Sequence, residues 1–339
     1  QACLDHVFSR KVASCLVNPR ACHETGLVYS PAPSRKRIAV VGAGPAGLAC
    51  ATVLAERGHD VDLFEAAAEI GGQFRMAMRV PGKEEFAETL RYFQGRVRST
   101  GVTLHLGTRV SASELIAAKY DEVVLATGVV PRSPQIPGQD HPMVLSYVDV
   151  LLRGRPVGKS VAVIGAGGIG FDVAEFLVHG ERPAEGEGPD LARWMEEWGV
   201  TDPEVSPGGV TEPRPAPPAR KVTLLQRKTG RPGAGLAKTT GWIHRASLKM
   251  KDVEMLSGVH YERIDDRGLT IRLGEKGEGT RLLEVENVVL CTGQEPLREL
   301  EAPLREAGVG LHLIGGADVA AELDAKRAID QGSRLAARL

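Results

Sequence analysis

Twice along this 339-residue chain, a short apolar run enters a Gly-x-Gly-x-x-Gly loop and continues as an apolar helical pattern. The first copy runs from Arg37 to Val41, then through Gly42, Ala43, Gly44, Pro45, Ala46 and Gly47 into a helix pattern that Gly58 stops. The second runs from Lys159 to Ile164, repeats the spacing at Gly165, Gly167 and Gly170, and continues from Phe171 to His179. A β-branched run feeding such a loop predicts a buried parallel strand that turns directly into a helix. Each copy is followed by a later apolar run ending in Thr-Gly: Val123 to Ala126 before Thr127-Gly128, and Val288 to Cys291 before Thr292-Gly293. The pattern predicts an α/β fold with two Rossmann-like dinucleotide-binding domains.

The spacing has a physical reason. Gly42 permits the tight turn, Gly44 lets backbone approach a pyrophosphate, and Gly47 lets the helix pack close to its strand. The pyrophosphate is then expected at the helix N-terminus, where free N–H groups and the dipole favour negative charge. Val61 to Phe64 predicts the next strand, and Glu65 at its end can accept from ribose hydroxyls. Behind the second loop that acid is missing. Val222 to Leu225 ends instead in Gln226-Arg227-Lys228, and cations suit a 2′-phosphate, so NADPH is expected there over NADH. Plain solvated surface charge is the other account of Arg227 and Lys228. The string Lys238 to Arg245 holds donors and Trp242, which suit either a nicotinamide-side cleft or an ordinary packed loop.

Around these motifs the chain divides into a cysteine-rich segment (1–33), a first domain (34–150 with 295–339) and a second (151–294). Residues 181–220, rich in Glu, Gly and Pro, are expected to be a surface insertion. Within it, Leu191 to Trp198 predicts a short amphipathic helix that docks its tryptophans.

Gly71-Gly72-Gln73 after Glu65, Thr127-Gly128 downstream, and Gly316-Ala317-Asp318 before a final helix together resemble the flavoproteins with two dinucleotide-binding domains. That resemblance implies FAD in the first domain. It gives Asp318 the ribityl chain and sets the helix N-terminus at Arg327-Ala328 against the pyrimidine end of the flavin. Cys3-Leu-Asp and Ser14-Cys-Leu-Val-Asn-Pro-Arg-Ala-Cys22 resemble, more narrowly, the cluster region of bacterial NADPH-dependent 2,4-dienoyl-CoA reductase and its relative trimethylamine dehydrogenase. The likeness extends over essentially the whole chain, through Thr239 to Arg245 and Gly316 to Ala328.

From the family follow further expectations. Cys3 and Cys15 would be two of the four ligands of a 4Fe-4S cluster, which two thiolates alone cannot hold; Cys22 would be structural. FAD contacts would include Gln73, Lys83 and Val110, and NADPH contacts Arg245. An N-terminal (β/α)8 barrel with FMN and the acyl-CoA site would complete the protein, and the start at Gln1 in dense sequence is expected of a fragment. The activity implied is hydride transfer from NADPH to FAD, then electrons through the cluster to FMN and a dienoyl thioester. The alternative, on the trimethylamine dehydrogenase pattern, is a module that holds an ADP moiety without nicotinamide turnover.

A formal net charge of −1 argues against a general nucleic-acid or membrane-surface binder. No run approaches the roughly 18 apolar residues of a membrane span, and residues 1–30 carry charges throughout, so a cytoplasmic protein is expected. No Cys-x-x-Cys is present, which removes dithiol redox chemistry of the disulfide-reductase kind. Cys50 and Cys291 lie in apolar patterns and are expected to be buried structural thiols.

Overall fold

The computed structural model describes residues 2–179, 190–274, 279–321 and 324–339. The chain forms two compact units, Gln1–Arg132 with Gly293–Leu339, and Ser133–Thr292.

Unit 1 is built on a five-stranded parallel sheet of β1 (Arg37–Val41), β2 (Asp60–Phe64), β3 (Thr103–His105), β4 (Glu122–Leu125) and β15 (Leu311–Leu313), in the order β15-β4-β1-β2-β3. Alternation along β1 divides the core. Ile38 and Val40 pack beneath α2 (Pro45–Glu56), α4 (Phe86–Thr100) and α11 (Ala325–Ala336), while Ala39 and Val41 join Leu115 and Leu304 on the opposite face. Leu115 and Leu304 come from α5 (Ala112–Ala117) and α10 (Glu301–Glu306). The unit also holds α1 (Ala2–Phe8), α3 (Phe74–Ala77) and an antiparallel pair of β5 (Val129–Pro131) with β14 (Gln294–Pro296).

Unit 2 repeats the plan. Its parallel sheet runs β6-β13-β7-β8-β9, from β6 (Val144–Ser146), β7 (Ser160–Ile164), β8 (Lys221–Leu225), β9 (Glu254–Leu256) and β13 (Asn287–Leu290). An antiparallel sheet of β10 (Val259–Asp265), β11 (Gly268–Leu273) and β12 (Gly279–Leu283) lends Val259, Ile271 and Leu283 to the core around Ile164 and Leu225. Its helices are α6 (Tyr147–Leu151), α7 (Gly168–Val178), α8 (Leu191–Trp198) and α9 (Gly241–Met250). In each unit the strand that feeds the glycine loop is central, with the next strand on one side and the Thr-Gly strand on the other. That reversal of strand order leaves a crevice beyond the strands' carboxyl ends.

Two sequence expectations need correction. Residues 133–150, assigned to the first domain, belong to unit 2, because β6 pairs with the distant β13 and carries no motif of its own. The return to unit 1 likewise falls at Gly293, not 295. The helix expected in the insertion forms as α8, capped by Asp190, but Trp194 stays half exposed. What is buried is a cation: Lys251, 3% exposed, reaches Glu197 Oε1 at 2.5 Å and donates to Ala216 O at 3.0 Å. Residues 180–189, which fall mostly in the insertion, lie outside the described residues.

Candidate functional site: two glycine loops

Within unit 1, Gly42 has φ +106°, and a Cβ there would stand 2.4 Å from Ala126 O. A Cβ at Gly47 would fall 1.8 Å from Gly42 O. Protein backbone therefore dictates both outer glycines. The middle one is different: the nearest atom to a Cβ at Gly44 is Gly72 Cα at 3.9 Å. Gly44 is also the extended N-cap of α2, with no side chain on the helix end and with Pro45, which has no N–H, following it. Ser111, Ser146, Asp190 and Asp324, in contrast, each cap a helix with a side-chain oxygen. The donors of α2 are left to something outside the helix, and an open central glycine is where a pyrophosphate would sit.

Of the other predicted residues of unit 1, Glu65 and Thr127 lie against this loop. Glu65 accepts from Ala43 N–H at 2.8 Å and Ala67 N–H at 2.9 Å, one bond per carboxylate oxygen. An ionised carboxylate has about four lone-pair sites, so capacity for ribose hydroxyls remains. Gly71 N–H donates to Ala43 O at 2.8 Å, and Gln73 accepts from the Gln294 amide at 3.2 Å. Thr108 N–H donates to Glu65 O at 2.8 Å, which brings the neighbourhood of Val110 to the same strand end. Thr127 Oγ1 donates to Leu297 O at 2.5 Å, and Gly128 has φ +77°. Lys83 stands in the turn before α4, its N–H on Val80 O.

The C-terminal pieces close the site. Gly315 has φ +62° and its Cβ would lie 2.8 Å from Ala46 Cβ, so the turn carrying Asp318 abuts α2. Gly332 lets α11 touch α2, since a Cβ there would be 2.3 Å from Ala46 O. Arg298 donates to Ala317 O at 2.5 Å and also to Asp318 O. Arg327 donates to Val319 O at 2.6 Å, and Ala328 is buried.

Unit 2 reproduces the loop almost bond for bond. Gly165, φ +113°, would place a Cβ 2.2 Å from Cys291 O, and Gly170 one 1.6 Å from Gly165 O. Gly167 has no atom within 4 Å of its would-be Cβ and is the extended, side-chain-free N-cap of α7. Gly42 N–H donates to Phe64 O at 2.7 Å; Gly165 N–H donates to Leu225 O at 2.8 Å. The loops diverge at the next strand end. Where Glu65 stands in unit 1, Gln226 stands in unit 2, its amide Nε2 donating to Lys228 O at 3.0 Å and Gly230 O at 3.3 Å.

Gln226, which sequence reasoning passed over, thus folds the turn that carries Arg227 and Lys228. Both cations are exposed and, among the described residues, neither has an ion-pair partner. Burial pushes the Tyr261 phenol on β10 up, and the charge of Arg227 opposes it. Arg245 donates from Nη1 to Gly233 O at 2.9 Å, and its Nε is buried with no partner among the described residues. Trp242 lies on the first turn of α9 and is mostly exposed.

A second residue missed from sequence is Glu175 on α7, 8% exposed. Burial raises its carboxyl above the usual range, although Ser247 Oγ donates to Oε1 at 2.6 Å. Its sequence signal is weak, because the stretch Phe171 to Val178 holds two acids, Asp172 and Glu175. Cys50 and Cys291 are buried, and desolvation pushes the Cys50 thiol up to about 12. Cys3 is exposed and Cys15 half-buried; among the described residues no group of three or more metal-ligating side chains assembles. The residues present therefore do not make a cluster site by themselves. No helix among the described residues is long and apolar enough to cross a membrane.

Comparison with known proteins agrees with this geometry. The family model of the pyridine nucleotide-disulphide oxidoreductases matches residues 36–326, and the chain belongs to that family. A metal reductase of Desulforamulus reducens is 30% identical over 322 residues, a match covering 94% of this chain and 46% of the relative. A 2-naphthoyl-CoA reductase structure superposes with a TM-score of 0.82 at 25% identity, covering 100% of this chain and 45% of that one. The thioredoxin reductase of T. acidophilum, at 16% identity and a TM-score of 0.60, shares the fold over 89% of this chain and 96% of its own. The chain spans under half the length of the first curated relatives it matches. It is an α/β module of that family with two Rossmann-like units.

Proposed function

We propose that this chain is the nucleotide-binding module of an NADPH-dependent flavoprotein reductase of the 2,4-dienoyl-CoA reductase type. The observation that carries the reading is the contrast between its loops: the same open central glycine at Gly44 and Gly167, followed by Glu65 in one unit and by Gln226, Arg227 and Lys228 in the other. Glu65 and Asp318 suit the hydroxyl-rich ribose and ribityl of FAD. Arg227 and Lys228 suit the extra phosphate of NADPH. FAD held there would supply hydride acceptance from reduced nicotinamide and single-electron transfer onward.

The protein's own groups bind, orient and choose the nucleotide; none is required as a general acid or base. Cys3 and Cys15 would give two thiolates to a 4Fe-4S cluster whose remaining ligands, like an FMN barrel with the acyl-CoA site, lie outside these 339 residues. A match to under half of a relative's length and the likeness to a reductase of a CoA thioester both favour that larger assembly. Anaerobic titration of the FAD-loaded chain with NADPH and, separately, NADH tests the proposal. The visible flavin absorbance should bleach at lower NADPH than NADH concentration; no bleaching with either would sink it.

A further inference from the structure

The proposed role of Asp318 leaves open what aims its carboxylate. Asp318 lies just past the short helical turn Gly315–Ala317, a segment too brief to fix a side chain by packing. The side chain of Gln331, on α11, supplies both halves of a brace. Its Oε1 accepts from Gly315 N–H at 2.8 Å, and its Nε2 donates to Asp318 Oδ2 at 2.7 Å. The amide's orientation is dictated at both ends, because only its oxygen can take the backbone N–H and only its nitrogen can serve a carboxylate. Gly332, the next residue, seats this part of α11 directly on Ala46 of the first glycine loop. The brace is thus anchored to the same backbone that would hold the pyrophosphate. Arg298 fixes the main chain from the other side through the carbonyls of Ala317 and Asp318. Among the described residues no hydrogen bond reaches Asp318 Oδ1.

We propose that Gln331 is a positioning residue: it occupies Oδ2 of Asp318 and so presents Oδ1 to a hydroxyl of the flavin's ribityl chain. The inference rests on the reading of unit 1 as an FAD site. An amide that donates to a carboxylate makes a charge-assisted bond, worth more than a neutral pair.

The test is FAD affinity of the full chain, read by quenching of flavin fluorescence, for wild type, Gln331→Met, Gln331→Glu, Asp318→Ala and the Gln331→Met/Asp318→Ala double variant. Melting temperatures are taken in parallel. Gln331→Met should weaken FAD by about tenfold, the equivalent of one charge-assisted hydrogen bond. It should cost nothing further in the Asp318→Ala background, since it acts through Asp318. Gln331→Glu should bind weakly at neutral pH and regain affinity as pH falls through the carboxylate range. A protonated carboxyl at that position can donate to Asp318 where the ionised one repels it; a merely structural role would give no such recovery. Wild-type affinity in Gln331→Met, or losses that add in full in the double variant, would overturn the inference while the FAD site stands. Failure of the wild-type chain to bind FAD would instead remove the site itself, and the inference with it.

Discussion

The two glycine loops of this chain share a backbone plan and part company most sharply at the end of the next strand, Glu65 in one and Gln226 in the other. In both units the outer glycines are forced by carbonyl oxygens 1.6 to 2.4 Å from a would-be Cβ, and the middle glycine alone has room for one. Two of the three positions therefore serve the fold, and the third is the one the proposal gives to a ligand. Specificity is written elsewhere. Glu65 turns its carboxylate onto its own loop through Ala43 N–H, whereas Gln226 turns its amide forward onto the carbonyls of the Arg227-Lys228 turn. An acceptor folds back on one loop and a donor shapes the turn beyond the other.

The largest effect should come from breaking what the loops share. Gly47→Ala or Gly170→Ala drives a methyl into backbone oxygen, and each should cost about 3 kcal/mol or more, measured by denaturant unfolding. Gly44→Ala and Gly167→Ala should leave stability within about 1 kcal/mol of wild type, the usual helix-end range, while weakening FAD or nicotinamide nucleotide respectively. Equal destabilisation by inner and outer substitutions would erase the division between fold and ligand positions.

Next in size is the difference between the sites. Arg227→Ala should weaken NADPH by about tenfold or more and leave NADH unchanged, as expected for a lost charge-assisted phosphate contact. Gln226→Glu should shift preference toward NADH, since it removes the donor to Lys228 O and sets an acid where a 2′-hydroxyl would lie. Nucleotide binding followed by calorimetry reads both, and an unchanged NADPH-to-NADH ratio in the two variants would count against the phosphate site.

The smallest expected effect concerns pH. Glu175 in unit 2 is held above the ordinary carboxyl range by burial, so the folded chain keeps a proton there that the unfolded chain has released. Stability is then lost as pH rises from the unfolded value through the folded one, and the cost is complete above it. Gln in its place should flatten that slope and raise the melting temperature at neutral pH. A slope identical to wild type would clear Glu175 of the effect.

Much of this was legible in the sequence because it is local. Strand, glycine loop and helix follow one another without interruption, and the β-branched runs and glycine spacing mark them without reference to anything distant. What could not be read depends on pairing across the chain. Val144–Ser146 becomes a strand only because Asn287–Leu290 runs beside it. Gln331 has meaning only once Asp318 and Gly315 are brought to it, and Lys251 reads as a surface cation until Glu197 and Ala216 close over it. Trp194 of α8 misled for the opposite reason: an amphipathic pattern says which face is apolar, not that anything covers it.

Unit 1 is assembled from two stretches that flank unit 2 in the chain, and Asp318, Gln331 and Gly332 all belong to the later one. A ribosome therefore makes every residue of unit 2 before it delivers β15 and α11 of unit 1. During synthesis the second loop can be fully framed while the first still lacks that strand, that helix and the brace on Asp318. A chain cut before Gly315 would therefore carry every residue of unit 2 but leave unit 1 without α11 and the brace on Asp318.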